Sequence, residues 1–230
     1  MSKRIDRTPH EPGWGEVILG AALSVGLGAV LGALALVFKP VVVVKELPKE
    51  PAAGVTYFVE GSRDSNKAKQ AVAMRKAFAQ GASGVFSLTE DDLNALAGPA
   101  AAAAKSKSGE KAGPAAPAVA DEMLAAGTPN FRIRDGIVQI GFPVSVRVFG
   151  AAGTVIVQAQ GTFAKKGDGF VFEPESLIVG SCPVQRLPYA STYVRQKFLT
   201  AQAVADDIAA AWPKLVSVAV EGNTLKLTMP

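Results

Sequence analysis

One apolar run close to the N-terminus constrains this chain more than any other feature. Residues 17–38 contain no charged side chain, and Glu16 and Lys39 flank them. As a helix with a rise of about 1.5 Å per residue, the run extends roughly 33 Å, which matches a bilayer hydrocarbon core of about 30 Å. Trp14 lies where an interfacial aromatic side chain is expected. The sequence therefore predicts a transmembrane helix over residues 17–38.

The same run also has features of a cleaved signal peptide, so two interpretations are open. An Ala33-x-Ala35 pattern resembles a cleavage site, but it lies inside the run, which exceeds the about 7–15 apolar residues usual in a signal peptide. An uncleaved signal anchor is therefore favoured. Basic residues occur on both sides of the helix, so orientation rests on the tendency of long domains to translocate regardless of charge. We expect a cytoplasmic head over residues 1–16 and a single-pass protein of the cell (inner) membrane, with its C-terminal domain periplasmic or extracellular.

Small residues repeat at a spacing of four along this helix. Such a ridge lets two helix backbones approach closely, which predicts self-association in the membrane. The alternative is that the segment is simply rich in glycine and alanine. The candidate helix-association residues are Gly20, Ser24, Gly28 and Gly32.

Beyond the helix, changes in composition divide the chain. Residues 39–54 carry several prolines and are predicted to form an extended stalk, followed by a domain over residues 55–230. Residues 98–120 are dominated by Ala, Pro, Gly, Lys and Ser, which favours a flexible insertion inside that domain.

Apolar residues alternate with polar or small ones over residues 137–149, and the pattern repeats over residues 154–163 and 170–179. A period of two is typical of strands with one buried face, and the turns between them predict an antiparallel meander. A closing hairpin is expected around Gly222-Asn223.

Helical patterns accompany these strands. Residues 64–80 have helical periodicity, and Thr89 is a good N-cap for a short helix that begins with three acidic residues. A long amphipathic helix is predicted to start at Pro188, with its apolar stripe at Val194, Phe198, Ala201, Ala205, Ile208 and Trp212. The predicted fold class is α+β: an N-terminal transmembrane helix, then an antiparallel β-meander packed by amphipathic helices.

Few residues support catalysis. The single histidine, His10, lies in the head, and the single cysteine, Cys182, has no histidine to activate it. A capped helix start explains the acidic residues 90–92 better than a metal site does. We therefore predict a non-enzymatic protein with no catalytic residue, metal site or cofactor. The formal net charge of +4 is too small to indicate nucleic-acid binding.

A long sheet with one apolar face either fills its own interior or leaves a slot for an apolar ligand. A filled interior is the default, and sequence does not separate a core position from one that faces a ligand. The candidate ligand-binding residues on this face are Val138, Ile140, Phe142, Val144, Val146, Phe198 and Ile208.

The order of elements resembles that of a known family. The basic head, the single apolar helix, the segment Phe86-Ser-Leu-Thr-Glu-Asp-Asp-Leu-Asn-Ala95, the meander and the late helix are similar to bacterial YpmS-like proteins and, more remotely, to tubular lipid-binding envelope domains. The resemblance implies an extracytoplasmic, lipid-related role and assigns no functional residue; the insertion at 98–120 departs from it.

We therefore expect a membrane-anchored envelope protein that binds lipid or another apolar ligand, or supports envelope assembly. Its expected partners are the lipid bilayer, a second copy through the transmembrane helix, and an envelope protein. The alternative is a scaffolding protein that acts through helix self-association and protein partners.

Overall fold

The computed structural model describes residues 13–64, 67–97, 124–148, 151–167, 169–187, 189–196 and 206–230. The predicted insertion at 98–120, most of the predicted cytoplasmic head, and Phe198, Ala201 and Ala205 lie outside these residues.

The first element, α1 (Trp14–Val37), covers residues 17–37 of the predicted transmembrane span, and Phe38 is its C-cap. It begins at Gly13, whose backbone N–H donates to the Glu16 carboxylate at 3.2 Å, and it ends before Pro40, which cannot continue a helix. Its most apolar stretch has a mean hydropathy of 2.3, and none of its residues is buried. By length and composition, α1 is able to cross a membrane.

The remaining elements mix short helices with strands, so the chain is α+β. The helices are α2 (Ala68–Ala79), α3 (residues 90–97), α4 (Ala190–Val194) and α5 (Asp206–Ala211), with 3₁₀ turns at Val184–Arg186 and Trp212–Lys214. The strands are β1 (Val42–Val44), β2 (Tyr57–Val59), β3 (Gly84–Leu88), β4 (Leu124–Ala126), β5 (Asn130–Arg134), β6 (Ile137–Val148), β7 (Ala151–Lys166), β8 (Gly169–Val179), β9 (Cys182–Pro183), β10 (Ser217–Glu221) and β11 (Thr224–Met229).

The largest sheet has six antiparallel strands in the order β4-β6-β7-β8-β9, with β5 also paired to β6. Its register sets Phe142 opposite Val157 and Val144 opposite Val155. Because side chains alternate between faces along a strand, the apolar positions of β6 and β7 share one face. The period-two pattern thus corresponds to real strands with a common buried side.

A second, three-stranded antiparallel sheet has the order β10-β11-β3. The predicted closing hairpin is its β10–β11 pair, and β11 also pairs with β3 from much earlier in the chain. The backbone N–H of Gly136 donates to the carbonyl of Gly222 at 3.0 Å, which brings the turns of the two sheets together.

The apolar face of the large sheet is covered by two groups of side chains. In the first, Ile133 and Val138 pack with residues of α2, α5 and the small sheet. In the second, Phe142 and Val144 pack with β8, β9 and α4. Ile140 and Phe172 contact both groups, so they join one continuous core. Here, the second of these groups is named the α1-side cluster, because Ala33 and Val37 of α1 pack against it.

The opposite face of the large sheet is covered near its middle by β2. Phe58 is buried there, and a Cβ atom at Gly141 would overlap its ring. The Gln139 side chain donates to the carbonyl of Val59 at 3.2 Å. Strand β1, inside the predicted stalk, pairs in parallel with β2, inside the predicted domain. The predicted boundary at residue 55 therefore lies between two strands that are hydrogen-bonded to each other.

Of the residues predicted to form a long helix from Pro188, the structure describes 189–196 and 206–212. Val194 of α4 is buried in the α1-side cluster. Ile208 of α5 and Trp212 pack against the first cluster, and the Trp212 indole N–H donates to the carbonyl of Phe170 at 2.7 Å. Both ends of the predicted stripe therefore contact the sheet's core, although at opposite ends of it.

Candidate functional site

Those residues predicted to line a ligand slot that the structure describes are buried or partly buried. Val138, Phe142 and Val144 are only 1%, 1% and 2% exposed, while Ile140 and Val146 are partly buried beside them. Ile208 packs with Val138 in the first cluster, and Phe198 lies outside the described residues. The structure thus brings Phe142, Val144 and Val146 together in the α1-side cluster and separates them from Ile208.

A pocket of about 230 Å³ lies elsewhere, where α1 ends against β7. Its lining includes Val37 and Lys39 from the end of α1 and Thr154, Ile156 and Gly180 from the sheet. None of the predicted ligand-binding residues that the structure describes lines it. Its lining combines apolar side chains with Lys39, whose ammonium group also donates to the carbonyl of Gly54. This combination suits an amphipathic molecule with an anionic or polar end.

The junction that forms this pocket is the candidate functional site. The turn between β8 and β9 supplies Gly180 and Ser181, and the Ser181 backbone N–H donates to the carbonyl of Leu36 at 2.9 Å. That carbonyl belongs to the last turn of α1, and the backbone N–H of Lys39 also donates to it, at 3.3 Å. Thus the domain itself caps the C-terminal end of α1.

Gly180 permits this contact for two reasons. Its φ is +60°, a left-handed conformation that side chains with a Cβ adopt at a cost. A Cβ atom at this position would also overlap the carbonyl oxygen of Val37. Glycine is therefore required for the β8–β9 turn to approach α1 so closely.

Two polar details mark the same junction. The Ser181 hydroxyl is buried and, among the described residues, has no hydrogen-bond partner. A buried polar group without a partner is costly, so a water molecule or a ligand's polar group is expected there. The neighbouring Cys182 is buried in the α1-side cluster, and burial raises the pKa of its thiol, which makes it an inert thiol in the folded chain.

The acidic residues at the start of α3 have structural partners. Thr89 caps the helix as predicted: its hydroxyl donates to Asp92 at 2.7 Å, and Asp92 N–H returns a bond to that hydroxyl at 3.4 Å. Glu90 accepts from the backbone N–H of Ile133 at 3.0 Å. Asp91 accepts from the Ser62 hydroxyl at 2.7 Å and pairs with Lys67 at 2.9 Å.

These contacts lower the pKa of the Asp91 carboxyl, first through the hydrogen bond from Ser62 and then through that from Lys67. The described ranges contain no group of three or more His, Cys, Asp or Glu side chains that could hold a metal ion.

Asn94 of α3 binds the free edge of β5. Its amide donates to the carbonyls of Ser62 and Phe131, both at 2.8 Å, and its oxygen accepts from the Phe131 N–H at 2.7 Å. The side chain is 0% exposed, so all three bonds are shielded from water. The sequence predicts only a helix start in this segment, because a single Asn gives no local signal that it will contact a distant strand.

The predicted helix-association residues lie on the part of α1 that extends away from the domain. Apart from the helix's own backbone, no described atom would contact a methyl group added at Gly20, Gly28 or Gly32. The Ser24 hydroxyl donates to the carbonyl of Gly20 at 2.8 Å. This face of α1 is open along its length within the described chain.

No protein-family model, curated protein or solved structure matches this chain, so the resemblance to YpmS-like proteins stays a prediction.

Proposed function

We propose that this chain is a non-enzymatic, membrane-anchored envelope protein whose α+β domain lies outside the cytoplasm, directly against the membrane, and binds lipid or supports envelope assembly. The observation that carries the proposal is the junction between α1 and the β8–β9 turn. Residues 17–32 are the uncharged part of α1 that extends free of the described domain. They form about 24 Å of apolar helix, which covers most of a hydrocarbon core of about 30 Å.

The contacts of the last turn support an uncleaved anchor. Ala33 and Val37 pack against the α1-side cluster, and Leu36 accepts the bond from Ser181. Cleavage after Ala35 would remove Ala33 from this packing and place a charged terminus beside Leu36. Retention of α1 therefore preserves packing at the edge of the domain's core.

The finer architecture in the proposal is a meander covered by amphipathic helices. Its support is the antiparallel pairing of each strand from β5 to β9 with the next one along the chain, together with the packing of α2 and α5 on the first cluster.

Anchoring and orientation are tested in cells that express the full chain. The protein is expected to stay in membranes washed with alkaline carbonate, with an N-terminus upstream of Ala33. In a Cys182→Ala background, a cysteine replacing the exposed Glu221 is expected to react with a membrane-impermeant maleimide in intact cells. The control, Ser2→Cys, is expected to react only after lysis. Release by carbonate contradicts the anchor, and reversed labelling contradicts the orientation.

Lipid binding is tested by native mass spectrometry of the detergent-purified chain, where co-purifying lipid is expected. Thr154→Trp is expected to fill the pocket beside Lys39 and lower the bound lipid. Ser145→Trp is the matched control, because Ser145 is exposed, pairs with Thr154 across the strands and does not line the pocket. Equal lipid in both variants contradicts the pocket, and the absence of lipid from every sample contradicts lipid binding.

Scaffolding through α1 is the second candidate, because the small-residue face of α1 is unobstructed. It predicts that Gly28→Leu combined with Gly32→Leu breaks a cross-linkable complex while the outer domain stays folded. A complex that survives both changes contradicts it.

A further inference from the structure

We infer that α4 and the segment before it form a membrane-contact surface, in which Tyr189 and Tyr193 lie in the headgroup region of an anionic bilayer. This inference rests on the proposed anchoring of α1. The surface is here named the tyrosine surface and comprises Arg186, Tyr189 and Tyr193.

The depth of this surface follows from what α1 contacts. Ala33 and Val37 already pack against the domain, so the last turn of α1 has left the hydrocarbon core where the domain begins. Leu187, Ala190 and Val194 pack against the same α1-side cluster. The segment that carries both tyrosines is thus fixed to the cluster that meets the end of the membrane helix, with no intervening linker.

The exposure of the two tyrosines suits an interfacial position. Tyr189 is 88% exposed and Tyr193 is 57% exposed, although both are large and partly apolar. They are one helical turn apart, and the Tyr193 N–H donates to the carbonyl of Tyr189 at 3.0 Å. Tyrosine is enriched at membrane–water interfaces, because its ring is apolar and its hydroxyl is wet.

The charge of this region is complementary to anionic lipid. No acidic residue occurs between Glu175 and Asp206, whereas Arg186, Arg195 and Lys197 do. Arg186 is exposed in the 3₁₀ turn just before α4, and Lys39 lies at the end of α1. Basic side chains beside an anionic surface are attracted to it over about a Debye length.

The backbone at Tyr189 is also unusual. Its φ is +63°, a left-handed conformation that bulky residues rarely adopt. At this position the conformation presents a tyrosine side chain to solvent at the start of α4.

The test measures depth in the bilayer with spin labels on the full chain. In a Cys182→Ala background, single cysteines replace Tyr193 and, as the matched control, Val216, which is also 57% exposed but lies beside β10. The chain is reconstituted in vesicles of phosphatidylcholine and phosphatidylglycerol. The ratio of oxygen to nickel-complex accessibility is expected to be several-fold higher at position 193 than at 216.

Two results overturn the inference: equal ratios at both positions, or protection of position 193 from both reagents, which indicates a protein partner instead of lipid. Arg186→Cys is a second label site in case Tyr193→Cys disturbs α4, and it is expected to behave as position 193 does. Carbonate extraction distinguishes failure of the anchor from failure of the tyrosine surface. A chain that stays in the membrane while position 193 is exposed to water refutes only the tyrosine surface.

Discussion

Replacing Gly180 with alanine is expected to release the last turn of α1 from the domain while the sheet stays folded. A Cβ at this position overlaps the Val37 carbonyl oxygen and comes within 2.8 Å of the Val37 carbonyl carbon. Backbone atoms cannot rotate away as a flexible side chain does, so α1 or the β8–β9 turn must move. Gly167→Ala is the matched control: its φ is also +60°, and no described residue beyond its chain neighbours lies within 4 Å of the added methyl group.

The magnitude follows from what the movement removes. Both variants carry the left-handed strain of about 1–2 kcal/mol, which therefore cancels in the comparison. Only Gly180→Ala also loses the Ser181–Leu36 hydrogen bond, a net contribution of about 0.5–1.5 kcal/mol. Ala33 and Val37 are only partly buried, so their lost packing adds about 1 kcal/mol. The difference of about 1.5–2.5 kcal/mol corresponds to a roughly 10- to 60-fold larger open population.

Cys182 reports that population without any added probe, since it is the only cysteine and is 2% exposed in the α1-side cluster. In detergent micelles, when opening is fast relative to alkylation, the labelling rate by a maleimide follows the open fraction. We expect Gly180→Ala to be labelled roughly 10- to 60-fold faster than Gly167→Ala, with similar circular dichroism. Equal labelling rates in the two variants would refute the junction as described.

Three further outcomes are expected from changes elsewhere in the domain. Asn94→Ala is expected to lower the free energy of unfolding by about 1.5–4.5 kcal/mol in a denaturant titration, because three shielded hydrogen bonds are lost together; a loss below about 0.5 kcal/mol contradicts this. Because the pKa of Asp91 is lowered in the folded chain, its ionised carboxylate stabilises the fold at neutral pH, and this stabilisation is lost as pH falls below about 4. Asp91→Asn is therefore expected to reduce the fall in unfolding free energy at acid pH. An unchanged fall contradicts this. Gly141→Ala is expected to displace Phe58 from the sheet and lower the melting temperature, whereas Gly153→Ala, with open space around it, is expected to change it little; equal shifts argue against β2 covering this face.

The long strands of the large sheet were predictable because their signal is local, whereas the short strands β4 and β9 gave no such signal. Alternation over residues 137–149 and 170–179 corresponds to β6 and β8, and the Gly222-Asn223 turn corresponds to the β10–β11 hairpin. Thr89 and the acidic residues after it likewise form a capped helix start. In each case the residues that give the signal lie in the same element or in the same turn.

The contacts that build the candidate site were not predictable, because each joins distant parts of the chain. Nothing near Val85 or Phe86 indicates that β3 pairs with β11, and residues 39–54 gave no sign that β1 would pair with β2. Gly180 could have been noticed as a turn glycine, but its contact with Val37 needs the fold. Non-local pairing depends on what the rest of the chain leaves uncovered, so a local pattern does not specify it.

The junction also bears on how the proposed lipid binding would work. The predicted slot residues Val138, Phe142 and Val144 fill the interior, so an acyl chain could enter there only by separating the sheet from its covering helices. The pocket beside Lys39 requires no such opening, and its wall is shared between the last turn of α1 and β7. In the proposed anchoring and orientation, that wall lies at the headgroup level, where a lipid would reach it without leaving the outer leaflet. A lipid bound there would contact both the anchor and the sheet, and would therefore stabilise the same junction that Gly180→Ala is expected to open. Added phosphatidylglycerol should accordingly slow Cys182 labelling in the unmodified chain more than in Thr154→Trp. Equal slowing in both would show that lipid in the pocket does not stabilise the junction.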